Sequence, residues 1–141
     1  MECIAYRSKY KYQLQDDYVT TIDIRPDQAI DTPFIALSAA GTLTIKQWYA
    51  WDGPSGPTID TLNFMRGSLV HDALYQLMRE GHLGKDTYRE PSDRLLQKMC
   101  RDDGMSRLRA WCVYRGVRFG GNPSADPASE KPVILAPKGC L

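Results

Sequence analysis

The apolar spacing of this chain changes once, at a glycine- and proline-rich stretch reading Asp52-Gly53-Pro54-Ser55-Gly56-Pro57. Upstream, Tyr18-Val19-Thr20-Thr21-Ile22-Asp23-Ile24 is dense in β-branched and aromatic residues. Phe34-Ile35-Ala36-Leu37 and Thr42 to Tyr49 flank Ser38-Ala39-Ala40-Gly41, which suits a hairpin turn. Leu43, Ile45 and Gln47 alternate with Thr42, Thr44 and Lys46, the pattern of a strand with one apolar face. Downstream, Leu69, Val70, Ala73, Leu74, Leu77 and Met78 recur at the spacing of an amphipathic helix, and Gly81 stops it. Strands first and helices after them exclude a βαβ alternation and predict an α+β fold with a small antiparallel sheet.

Two more helices are expected. One fits Glu90 to about Asp102, with Pro91 and Asp93 in its first turn and Leu95, Leu96 and Met99 as its apolar stripe. The other is capped by Ser106, carries Leu108, Trp111, Cys112 and Tyr114 or Arg115 on successive turns, and ends by Gly120-Gly121. A chain of 141 residues supports one domain with a real core. The division expected is residues 1–121 as that domain, β-rich to 50, with the loop at 51–58 and helices over 59–121. Pro123, Pro127, Pro132 and Pro137 forbid a regular helix in 122–141. That stretch reads as an extended arm that docks through Val133-Ile134-Leu135.

A net charge of +1 gives no basic field, so no nucleic-acid partner is expected. The basic run of the third helix reads as a solvated face. The cysteines Cys3, Cys100, Cys112 and Cys140 form no ligand-spaced cluster, which disfavours zinc; Cys100 and Cys112 read as reduced, buried thiols. No window is apolar enough to span a bilayer, and Met1 to Arg7 has no secretory apolar region, so synthesis and folding in the cytoplasm are expected.

Within the first helix, His71-Asp72-Ala73-Leu74-Tyr75 brings an imidazole and a phenol onto one face, four residues apart. Asp72 is turned about 100° from His71, so the two address neighbouring targets. If the first two helices pack antiparallel, Asp93 approaches the His71 and Tyr75 face. A carboxylate there would accept the Nδ1–H of the histidine and support its protonated form, and the tyrosine would hold that carboxylate in turn. Gly53 and Gly56 permit backbone turned so that carbonyl oxygens, with a carboxylate, make the hard-oxygen site that calcium prefers. Asp52 is as well suited to an Asx turn with Gly53. Trp48, Tyr49 and Trp51 suit packing of sheet on helices, or contact with lipid if exposed.

These motifs resemble the phospholipase A2 superfamily, with its glycine-rich calcium loop, a helix bearing His-Asp-x-x-Tyr and a second helix carrying an aspartate. The resemblance implies His71 as general base, Asp93 and Tyr75 as its partners, and Asp72 as calcium ligand, with Asp52, Gly53, Ser55 and Gly56 in the loop that completes the metal site. It implies hydrolysis of a phospholipid or another acyl ester at a membrane surface. The chain lacks the cysteines that staple those helices in secreted phospholipases, having Leu69, Val70, Ala73 and Leu74 there.

A second resemblance spans roughly residues 17 to 121. A small domain family of unassigned function in tailed phages and prophages is similar in Trp51-Asp52-Gly53-Pro54-Ser55, Val70 to Tyr75, Asp93 and Val117-Arg118-Phe119-Gly120. It implies a phage or prophage origin and admits a different role. The same fold would then serve as a virion or tail-associated structural protein, its His-Asp pair a buried hydrogen-bonded staple, contacting other virion subunits through the 122–141 arm.

Overall fold

A computed structural model describes residues 2–7, 10–53, 61–121, 125–126 and 132–139. The expected α+β class is what it shows: small antiparallel sheets, then three helices, the first two an antiparallel pair. The main sheet has the order β3 (Tyr18–Thr21), β6 (Thr42–Ile45), β5 (Ile35–Leu37), β4 (Ile30–Asp31). β5 and β6 form the hairpin expected around Ser38 to Gly41, with Leu37 opposite Leu43 and Ile35 opposite Ile45. Gly41 has φ +92°, and a Cβ there would lie 2.3 Å from the Ile22 carbonyl oxygen, so this turn takes only glycine. The alternation is obeyed: Leu43 and Ile45 are fully buried, and Thr42 is exposed.

That buried face packs on α1 (Leu62–Arg79), whose Val70, Ala73, Leu74, Leu77 and Met78 join one core with Ile35, Leu37, Leu43 and Ile45. α1 starts seven residues before Leu69, the first residue of the apolar periodicity, and Gly81 follows its end at φ +80°. α2 spans Lys85–Asp102, starting earlier than expected, so Pro91 lies inside the helix rather than in its first turn. Pro91 has no N–H to bond the carbonyl of Thr87. Packing of the α1–α2 pair and the short Gly81–Gly84 connection decide the start, which the proline alone misplaces. A second core of Phe64, Leu96, Cys100, Met105, Ala110 and Val113 joins α1 and α2 to α3 (Arg107–Gly120). Ser106 caps α3 as expected, its Oγ accepting from the Arg109 N–H at 3.2 Å.

α3 is turned over relative to the expected stripe. Ala110 and Val113 face the core, whereas Leu108, Trp111 and Cys112 face outward. Cys112 is therefore an exposed thiol, not a buried one; Cys100 is buried and free as expected, and Cys3 is disulfide-bonded. The chain's two ends meet. β8 (Ile134–Ala136), from the proline-rich arm, pairs antiparallel with β1 (Ile4–Tyr6), and Ala125 is fully buried in the main core. A third small sheet pairs β2 (Tyr12–Gln13) with β7 (Ala50–Trp51), the strand that leads into the Gly/Pro loop. No helix among the described residues is long and apolar enough to cross a membrane.

Candidate functional site

The register of α1 against α2 can be followed through three contacts. Arg66 meets Asp103, Gly67 lies against Leu96 and Cys100, and His71 reaches Asp93, so one helix ascends as the other descends. A Cβ on Gly67 would stand 3.0 Å from Leu96 Cδ1 and 3.2 Å from Cys100 Sγ. This close approach brings Asp93, in the third turn of α2 and not its first, under the polar face of α1.

Asp93 is 0% exposed and His71 7%. Asp93 Oδ1 lies 2.6 Å from His71 Nε2 and 2.5 Å from the Tyr75 hydroxyl, so the ring N–H and the phenol both donate to one oxygen. The nitrogen engaged is Nε2, where Nδ1 was expected. At i and i+4 the imidazole and phenol rings tilt against one another with centroids 4.1 Å apart. An Nε2–H held by Asp93 leaves Nδ1 with its lone pair. His71, Asp93 and Tyr75 are thus brought together.

Two arginines join them that the sequence reading did not place. Arg118 Nη1 donates to Asp93 Oδ2 at 3.0 Å, and Arg89 Nη2 donates to the carbonyls of Val117 and Arg118 at 2.8 Å each. A signal was present for Arg118, which lies in a basic helix with no acidic residue of its own, Arg107 to Gly120. A cation facing the second helix from the third was not readable without the packing. Gly121 closes this corner, since a Cβ there would lie 2.8 Å from the Tyr75 hydroxyl and 2.4 Å from the Val117 carbonyl oxygen.

The electrostatics follow from this geometry. Burial by itself would raise the Asp93 carboxyl, but the hydrogen bonds from His71, Tyr75 and Arg118 outweigh it and hold the group below the ordinary carboxylate range. The Tyr75 phenol is raised, by burial first and then by its bond to ionised Asp93. The carboxylate is therefore kept charged beside a phenol kept neutral, and a protonated imidazole here would face a fixed negative charge.

The residues expected at the metal are distributed differently. Asp72 is half-buried on the neighbouring face of α1. After burial, its charge is the next cause raising the Tyr49 phenol, so the Asp72 carboxylate acts electrostatically on the segment that precedes the Gly/Pro loop. Trp51 is anchored by its Nε1–H donating to Ser68 Oγ at 3.3 Å, and Tyr49 stacks on it at 6.5 Å. Those two aromatics are core; Trp48 is exposed. Gly53 is buried with φ +74°, a backbone conformation favouring glycine, while Asp52 is exposed. Ser55 and Gly56 lie outside the described residues. Among the described residues, no group of three or more His, Cys, Asp or Glu side chains is gathered as a metal cluster. Arg66, next to this motif, pairs with Asp103 at 2.8 Å and reaches the Tyr18 hydroxyl at 3.1 Å, tying helix to sheet. His82 lies beside Glu80 at 3.7 Å in the α1–α2 connection.

No family model, no curated protein and no solved structure matches this chain.

Proposed function

We propose that this protein is a phospholipase A2-like, metal-assisted hydrolase of acyl esters, of phage or prophage origin. The observation that carries the reading is the fully buried Asp93 carboxylate bonded to His71 Nε2, which orients the imidazole and leaves Nδ1 as the basic nitrogen. In this reading Nδ1 takes a proton from water as the water oxygen attacks the ester carbonyl carbon. Ionised Asp93 stabilises the imidazolium so formed, and the proton then passes to the departing alkoxide. Tyr75 and Arg118 are positioning residues that fix Asp93.

Asp72 and the backbone oxygens at Gly53 have the donor chemistry calcium takes, since both are hard oxygen donors, and Gly53 adopts the left-handed conformation at φ +74°. Bound there, the cation would polarise the ester carbonyl and offset the charge of the tetrahedral oxyanion. The test is fatty-acid release from phospholipid vesicles with and without added calcium. Release that needs calcium, and is lost in His71→Gln with the fold retained by circular dichroism, supports the reading. No release from phospholipid or from simpler acyl esters refutes it.

One observation favours a second reading, a virion or tail-associated structural protein. His71 is 7% exposed and packed between Tyr75 and Asp93, as a purely structural staple would be. On that reading His71→Gln lowers stability and impairs assembly, and calcium changes neither.

A further inference from the structure

α3 has two apolar faces, and among the described residues only one of them is covered. At about 100° per residue, Leu108, Trp111, Cys112, Arg115 and Phe119 fall within an arc of about 100° on the side opposite Ala110 and Val113. Leu108 is 73% exposed, Trp111 53% and Phe119 97%. An exposed apolar stripe rimmed by charged residues marks an interaction surface.

The charge around this arc says what covers it. α3 contains four arginines and no acidic residue, in a chain whose net charge is only +1. Arg115 lies over the Trp111 ring at 5.8 Å. Beside the stripe, a surface groove of about 530 Å³ is lined by Arg94, Gln97, Lys98, Arg101, Arg107 and Trp111. Arg94 and Lys98 are paired with Glu90 and Asp102. Arg107 and Arg115 form no ion pair with a carboxylate among the described residues, and Arg101 donates to the Met105 carbonyl. Such a face repels a second copy of itself, because each copy would bring the same cations. Arginines flanking exposed leucine, tryptophan and phenylalanine on a convex helix match a surface with anionic headgroups above an apolar layer.

The stripe is also continuous with the polar site. Arg118, at its C-terminal end, donates to Asp93, and Gly121 abuts the Tyr75 hydroxyl. We infer that the outer face of α3 docks the protein on an anionic phospholipid surface, with Trp111 and Phe119 entering the headgroup region and the arginines pairing with lipid phosphates. This deepens the hydrolase reading and rests on it for its catalytic meaning, because α3 is joined to the His71–Asp93 network through Arg118.

The test uses the full chain and sedimentation with vesicles of phosphatidylcholine alone or mixed with phosphatidylglycerol. Expected is partition onto the anionic vesicles that falls as salt rises, with a blue shift of tryptophan fluorescence absent in Trp111→Ala. Arg107→Gln with Arg115→Gln should weaken partition by about thirty-fold, on the order of tenfold or less per cation near the surface. Phe119→Glu, at a fully solvated position, should abolish it while leaving the thermal midpoint unchanged. Equal partition onto both vesicle types, no partition, or partition indifferent to these substitutions overturns the inference. So does a preference for a single-stranded oligonucleotide over anionic vesicles, or a Phe119→Glu effect confined to self-association. Anionic partition without fatty-acid release would sink the hydrolase reading and leave the docking face standing. Release indifferent to anionic lipid would do the reverse.

Discussion

Replacing Asp93 by asparagine removes one charge from a fully buried position and changes almost no volume. The carboxylate receives three hydrogen bonds, at 2.6 Å from His71, 2.5 Å from Tyr75 and 3.0 Å from Arg118. Bonds to a charged group contribute about 1.5–3 kcal/mol net and neutral ones about 0.5–1.5, so the amide oxygen loses about 1 kcal/mol at each of the first two. The amide nitrogen, a donor, would face the Arg118 donor. With Arg118 side chain 31% exposed, the guanidinium can turn to water, which limits that part to about 1 kcal/mol or less.

The expected loss is therefore about 2–3 kcal/mol, against a total stability of about 5–15 kcal/mol. Asp93→Ala, which leaves buried donors without any acceptor, should cost about 3–5 kcal/mol. Urea titration at pH 7 measures both. The dependence on pH has a definite sign. The folded-state pKa of Asp93 lies below its unfolded value of about 3.9, so its contribution is complete above that value and is lost as pH falls through the folded one. The part of the gap between wild type and Asp93→Asn that comes from the carboxylate's own charge should narrow as pH falls below about 4. A loss under about 1 kcal/mol at pH 7, or a gap unchanged at pH 3, would show that the network does not hold Asp93 charged.

Three further outcomes test other parts of the structure. Gly121→Ala should destabilise the protein by about 1–3 kcal/mol and displace Tyr75, because its Cβ meets the Val117 carbonyl and the Tyr75 hydroxyl; an unchanged thermal midpoint would contradict that packing. Burial pushes the Cys100 thiol up to about 11, so at pH 8 an aromatic disulfide reagent should label exposed Cys112 and reach Cys100 only in denaturant; mass mapping that finds native Cys100 labelled refutes the placement. Asp72→Asn should weaken any calcium binding measured by calorimetry at least tenfold while changing stability by under about 1 kcal/mol, since Asp72 is half-buried; full-strength binding would remove it from the ligand set.

Much of the fold was legible because its signals are local. The alternation of Leu43 and Ile45 with Thr42 and Thr44, the hairpin turn over Ser38 to Gly41, the i, i+3, i+4 spacing from Leu69 to Met78 and the Ser106 cap each depend on neighbours in sequence. So did the core of the candidate site: four-residue spacing puts His71 and Tyr75 on one face whatever surrounds them. What failed locally failed for a physical reason. Pro91 mimics a helix start, yet tertiary packing carries α2 through it. α3 is apolar on two sides, so periodicity cannot say which side turns inward; α2 makes that choice by taking Ala110 and Val113.

The amino-acid order alone thus determined the sheet-then-helices class, the hairpin, and the shared face of His71 and Tyr75, because rise and twist per residue are properties of the backbone. Only the tertiary structure decided that Asp93 grips Nε2, that Arg118 becomes its third partner, that Cys112 lies outside, and that Ile134 to Ala136 return to the strand at Ile4 to Tyr6. Those outcomes depend on which surfaces meet and at what distance. Helix packing sets that through the size of side chains such as the missing one at Gly67, which no single stretch of sequence contains.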